Sequence, residues 1–188
     1  MFSASYEAAL VFAAQAHRQQ LRKGTTIPYL THTVHVSVIL LRYGFAEEVV
    51  IAGLLHDVLE DCGVTRETLA ANFGAKVADL VVAVSKPAGD LSWEASRAAL
   101  LAQVEVAGQA AAALKAADTL HNVQSLLHDL KQEGPTVWQR FKRGKPAFVG
   151  YYQAVGAQAE KKLGDHPLVA ELAIAVAELA ASVEEPYP

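Results

Sequence analysis

Within Leu54-Leu55-His56-Asp57-Val58-Leu59-Glu60-Asp61, four polar side chains able to bind a metal or move a proton interrupt an apolar run. On a helix, positions three and four apart share a face. His56 then lies near Glu60, and Asp57 near both Glu60 and Asp61. Adjacent His56 and Asp57 diverge by about 100° on a helix, yet both reach an ion seated over it. Such residues usually make a solvated stripe. Here Val49, Val50, Ile51, Leu54, Leu55, Val58 and Leu59 leave the segment apolar almost all round. It therefore belongs in the interior, and its charges need partners. Glu60 and Asp61 also fall at the helix C-terminal end, where the macrodipole disfavours anions. Two local rules broken at one place mark a candidate functional site.

Two further segments carry the same residue types. His32 stands at the start of another helical stretch, with His35 one turn on, and a lone core histidine is the ordinary explanation of either. Asp118 lies in Lys115-Ala116-Ala117-Asp118-Thr119-Leu120-His121-Asn122, a stretch with few polar positions for an exposed stripe. Asn122, one turn after Asp118, shares its face. A histidine, a His-Asp pair and a distant aspartate form a mixed nitrogen and oxygen donor set, which suits Mn²⁺, Fe²⁺ or Zn²⁺ better than Ca²⁺. The single cysteine, Cys62, rules out an internal disulfide and argues against a thiolate zinc site.

The elements that must position these groups read as helices. Strand-like alternation is scarce, whereas Ala, Leu, Val, Glu and Gln recur at helical spacing. Helices are expected over residues 5–21, with Ala9, Phe12, Ala13 and Ala16 on one face, then 31–44, 46–61, 65–73, 75–85, 92–107, 109–130, 147–163 and 167–183. Thr31, Thr65 and Ser92 are expected N-caps. Residues 22–29, with Gly24 and Pro28, read as a loop, as do 86–90; 133–146 is irregular or briefly helical, and 184–188 a loose tail. With 52% hydrophobic and 19% charged residues, the 188-residue chain can bury a full core. No repeat or linker divides it, so one all-α domain over 1–188 is expected. The net charge of −4 argues against nucleic-acid binding. No apolar stretch reaches membrane-spanning length, and the N-terminus lacks a signal-peptide pattern, so a cytoplasmic protein is expected.

Taken together, the stretches Ala16-His17, Arg22-Lys23-Gly24, Pro28-Tyr29-Leu30-Thr31-His32, residues 53–61, Phe73-Gly74 and residues 115–122 resemble the HD phosphohydrolase superfamily. The pattern is most similar to the hydrolase domain of RelA/SpoT proteins and to stand-alone small alarmone hydrolases such as the metazoan SpoT homologues. It spans about residues 5–165 and leaves no room for a synthetase half.

The resemblance implies an HD-type helical bundle of about eight to ten helices. It implies that His32, His56, Asp57 and Asp118 bind one Mn²⁺, and that Glu60 and Asp61 orient and deprotonate the attacking water. Arg22 would stack on the base, Lys23 would lie near a phosphate, and Asn122 would hold ribose or pyrophosphate. Tyr151 falls where the family has an aromatic near the substrate, with Tyr152 as its neighbour. The implied reaction is hydrolysis of (p)ppGpp to GDP or GTP and pyrophosphate, with a small nucleotide as the partner and no nucleic acid or membrane. Three positions depart from the family pattern: Thr33 replaces a proline, Thr119 replaces an arginine or lysine, and Gln124 replaces an arginine. Lys142, Arg143 and Lys145 are the candidates to supply the missing charge. Alternatives remain open: hydrolysis of ppApp or of the NADPH 2′-phosphate, or a non-catalytic nucleotide sensor.

Overall fold

The computed structural model describes residues 3–141 and 143–183, so the 184–188 tail and Lys142 lie outside the described residues. In chain order the elements are α1 (Ala4–Ala16), α2 (Leu30–Arg42), α3 (Glu47–Leu55), α4 (Val58–Asp61), α5 (Arg66–Phe73), α6 (Ala75–Val84) and α7 (Trp93–Ala107). They continue with α8 (Gln109–Glu133), a 3₁₀ turn (Gly134–Arg140), α9 (Lys145–Leu163) and α10 (Pro167–Val183). The all-α expectation holds: among the described residues, β pairing is limited to an isolated bridge between Leu21 and Pro28. Thr65 and Ser92 cap α5 and α7 by accepting from Thr68 N and Ala95 N. Thr31 does not cap α2, because its hydroxyl donates back to the Pro28 carbonyl at 2.8 Å. The first helix ends at Ala16 rather than 21. There the chain turns so that Gln20 O can accept from Tyr29 N at 2.8 Å.

Two helices are buried on all sides, α3 from Val49 to Leu55 and α8 from Ala111 to Leu120. α8 is the axis, packed against α2, α3, α6, α7, α9 and α10. α2 lies across α3 at Gly53, where an added Cβ would stand 2.8 Å from Leu40 Cδ1 and 3.2 Å from Ser37 Cα. Only glycine permits that approach, which brings His32 of α2 beside the end of α3.

The expected continuous helix over 46–61 is broken into α3 and α4 at His56 and Asp57. His56 Nδ1 donates to the Gly53 carbonyl at 2.9 Å, and the helical pattern resumes when Asp61 N bonds Asp57 O. Both residues keep right-handed helical dihedrals, with Asp57 shifted to φ −103° and ψ −2°. His56 and Asp57 consequently face one point, with His56 Nε2 2.9 Å from Asp57 Oδ2.

Candidate active site

Three elements meet at that point. His32 comes from the first turn of α2, His56 and Asp57 from the break after α3, and Asp118 from the middle of α8. His32 Nε2 stands 3.3 Å from Asp118 Oδ1 and 3.7 Å from Asp57 Oδ2, and His56 Nε2 is 3.7 Å from Asp118 Oδ1. His32, His56 and Asp118 are buried, and their ligand atoms lie within 4.8 Å of one another. His56 Nδ1 is committed to Gly53, while the buried Nε2, though close to Asp57, makes no aligned hydrogen bond. A buried imidazole nitrogen left bare among carboxylates is the signature of a cation site, so the donor set fits a divalent transition metal.

The charges agree with this. Burial alone would lower the His56 pKa, but Asp57 and then Asp118 raise it to about 9. Burial lowers that of His32. Burial opposes ionisation of Asp57 and Asp118, yet both are held below the usual carboxylate range: His56 acts on Asp57, and Lys115 with the two histidines on Asp118. The two carboxylates are therefore held ionised, each beside a positive partner, His56 for Asp57 and Lys115 for Asp118.

Further side chains fix the donors. Tyr29 donates to Asp57 Oδ2 at 2.5 Å, and Lys115 donates to Asp118 Oδ2 at 2.7 Å. Asn122 Nδ2 donates to Asp118 Oδ1 at 2.6 Å. His121 Nδ1 lies 2.7 Å from His32 Nδ1. Burial, with His32 and Arg22 nearby, pushes the His121 pKa down to about 3, so this imidazole is neutral. Sequence reasoning assigned no role to Tyr29, Lys115 or His121. A signal existed for Lys115, a charge three residues from Asp118 inside an alanine-rich run, and for His121 at the same interval on the other side.

A cavity of about 190 Å³ opens over the donors, bordered by Tyr29, Glu60, Lys86, Arg97, Asn122 and Tyr151 among others. Beside it lies a second cavity of about 170 Å³ bordered by Arg22, Lys23, Phe141 and Arg140, and Tyr29, Asn122 and Tyr152 line both. The two form one cleft. Arg22 and Lys23 project from a closed turn in which Arg22 N bonds Ile27 O at 2.8 Å. Gly24 has φ of +74° there, and a Cβ on it would strike Arg140 Cδ at 2.8 Å. Arg22 reaches Asn122 Oδ1 at 3.5 Å from both terminal nitrogens, and Lys23 Nζ sits 5.3 Å from the Phe141 ring centre. Tyr151 is buried, and its hydroxyl has no hydrogen-bond partner.

Glu60 and Asp61 separate. Glu60 borders the cavity over the donors and accepts from the backbone and side-chain nitrogens of Lys86. Asp61 turns to a groove beside α1 and accepts from Gln20 Nε2 at 2.7 Å. Gln124 does not face the cleft; it bonds Glu171 on α10 at 3.1 Å. Arg143 pairs with Glu94, and Lys145 lies over Trp138. The cations that do border the donor end are Lys86, Arg97 and Lys115. Arg97, held 4.9 Å from the Tyr151 ring centre, carried no sequence signal, because α7 places it through its packing on α6, α8 and α9.

Ten α-helices among the described residues, with His32, His56 and Asp118 gathered so that they could hold a metal ion, define a class of α-helical domain with a candidate metal centre. The family model for the HD domain matches residues 9–146, and the chain belongs to that family. It is 49% identical over 76 residues to the guanosine-3′,5′-bis(diphosphate) 3′-pyrophosphohydrolase of Vibrio cholerae, covering 40% of this chain and 11% of that protein. It is 37% identical over 133 residues to a probable chloroplastic GTP diphosphokinase of Arabidopsis thaliana, covering 64% of this chain and 19% of the relative. The chain thus spans about a fifth or less of the length of these curated relatives. Among solved structures it resembles lmo0812 of Listeria monocytogenes, with TM-score 0.73 and 39% identity over 79% of this chain and 97% of that one. It also resembles a metazoan orthologue of SpoT described as hydrolysing ppGpp, with TM-score 0.73, 27% identity and 98% of each chain covered. No helix of the described residues is long and apolar enough to cross a membrane.

Proposed function

We propose that this protein is a Mn²⁺-dependent hydrolase that removes the 3′-pyrophosphate from (p)ppGpp. The observation that carries the reading is the convergence of His32, His56, Asp57 and Asp118 at the floor of a cleft rimmed by Arg22 and Lys23 at one end and Lys86 and Arg97 at the other. These four residues would hold the ion. When bound, Mn²⁺ would offset phosphate charge and lower the pKa of water. Glu60, on the cavity wall, is the base that takes the water proton, with Lys86 fixing its carboxylate. Asp61, at the end of α4 and turned to the groove beside α1, acts more weakly. Water adds across the bond between ribose O3′ and the pyrophosphate, so the ribose oxygen leaves with a proton and the pyrophosphate gains oxygen. Arg22 offers a planar face to the purine, Lys23 a point charge to a phosphate, and Asn122 a contact to ribose or pyrophosphate. Tyr151 and Tyr152 wall the cleft. The continuous core from Ala9 to Leu179 supports reading the whole chain as one HD domain.

The test is a turnover panel. Purified protein with Mn²⁺ is offered ppGpp, pppGpp, ppApp, NADPH and ordinary nucleotides, and products are resolved by chromatography. GDP and GTP from the guanosine alarmones, at a higher kcat/KM than any other substrate, are expected. Preference for ppApp or NADPH would reassign the substrate, and no turnover of any would favour a sensor.

A further inference from the structure

We infer that His121 is a positioning residue that sets the tautomer of His32 and so creates its metal-binding nitrogen. The inference rests on the reading of His32 as a ligand. A neutral imidazole presents one protonated and one bare nitrogen, and the hydrogen bond on one side decides which is which. His32 Nε2 faces Asp118 and Asp57, and Nδ1 lies 2.7 Å from His121 Nδ1. Two facing nitrogens at that distance must share one proton. When His32 Nδ1 donates it, Nε2 is bare and faces the carboxylates as a ligand. When His121 donates it, His32 Nε2 carries the proton and cannot bind a metal.

The surroundings of His121 hold its ring where Nδ1 can accept the proton that a metal on His32 Nε2 leaves at His32 Nδ1. Its ring is held by near-parallel stacking on His35, centroids 4.8 Å apart and planes 21° apart. His35 is itself anchored through Nδ1 to the Thr31 carbonyl at 2.9 Å, one residue before His32. His121 also borders a groove with Gln124 and His128. A metal-bound histidine usually gives its second proton to a carboxylate or a carbonyl; here a second imidazole takes it. α8 therefore contributes three groups on one face: Asp118 to the cluster, Asn122 to hold Asp118, and His121 to hold His32.

The test uses the full chain and two variants. His121→Asn keeps an acceptor at the Nδ1 position, and His121→Phe keeps the ring and its stacking but removes the acceptor. Mn²⁺ affinity is measured by calorimetry after chelator treatment, and the Nδ1 proton of His32 is read by NMR on protein loaded with diamagnetic Zn²⁺. The expected result is a Mn²⁺ dissociation constant weakened by about 10- to 100-fold in His121→Phe, the scale of losing such a supporting contact, with His121→Asn near wild type. The His32 Nδ1 proton should carry the shift of a hydrogen-bonded group in wild type and His121→Asn, and lose it in His121→Phe. Wild-type protein that binds Mn²⁺ while His121→Phe binds it equally well, with unchanged His32 shifts, overturns the positioning role alone. Wild-type protein that binds no Mn²⁺ overturns the metal reading and the inference with it.

Discussion

Lys115 is the clearest place to test whether the donor cluster is built for a cation. Its ammonium is buried, bonded to Asp118 Oδ2 at 2.7 Å, and 5.8 Å from the Tyr151 ring centre. Burial would lower its pKa, but Asp118 raises it well above the ordinary lysine value, so the pair is ionised throughout the accessible pH range. Lys115→Met keeps the length and most of the volume but strands Asp118. Breaking a buried pair by removing one partner costs about 3–5 kcal/mol, because the remaining charge is uncompensated. His56, with its pKa raised, stands 3.7 Å from Asp118 and offsets part of that charge, so about 3 kcal/mol is expected in metal-free protein. For a domain of this size that lowers Tm by about 6–12 °C. Bound Mn²⁺ would supply the missing positive charge, and the loss should shrink to about 1.5 kcal/mol or less. By linkage, the variant must then bind Mn²⁺ about tenfold more tightly than wild type. Urea unfolding of both proteins, with chelator and with saturating Mn²⁺, gives all four stabilities. An equal loss in the two conditions, or a metal-free loss under about 1 kcal/mol, would refute the reasoning.

Glu60→Gln should retain Mn²⁺ content by elemental analysis but lose about 10²-fold or more in single-turnover hydrolysis, with Asp61→Asn losing less; the reverse order would move the base to the α1 side. Arg22→Ala should raise KM for purine nucleotides with kcat little changed, and steady-state kinetics identical to wild type would remove the loop from the nucleotide site. Gln124→Arg should leave kcat/KM for ppGpp within about twofold, as for an ordinary surface change, because Gln124 faces Glu171 outside the cleft; a large gain would show that the side chain reaches substrate. Mn²⁺ affinity should climb with pH, up to about tenfold per unit below pH 9, since the ion must displace the proton held on His56. The sign for the metal-free chain is opposite. His56 has its folded pKa raised above 6.5, so its stabilising share is complete below pH 6.5 and disappears as pH climbs through about 9. Calorimetric titrations and denaturation at pH 6, 7.5 and 9 check both trends, and a flat metal affinity would contradict them.

The sequence by itself determined the helical class and most element positions, and it singled out the four side chains that the fold brings together. Apolar residues at helical spacing leave few other ways to bury a chain like this one, and a charge such as Asp118 inside an alanine-rich helix can persist only with a partner. Periodicity could not reveal the break at His56-Asp57, because both halves keep helical dihedrals and the interruption comes from the His56 bond to Gly53. At that break the adjacent His56 and Asp57 side chains converge, while Glu60 and Asp61, expected to work side by side, point to different grooves. Tertiary packing alone decided which cations border the cleft. Arg97 and Lys86 arrive from distant helix and loop positions, whereas Gln124, expected near phosphate from its motif, bonds Glu171 and borders a neighbouring groove that shares Arg22 with the cleft. It also decided the second contacts of the donors, Tyr29 on Asp57 and His121 on His32, which join residues 28 and 89 positions apart. Local sequence fixes which residue types can do chemistry; the direction each one faces depends on where the helices cross.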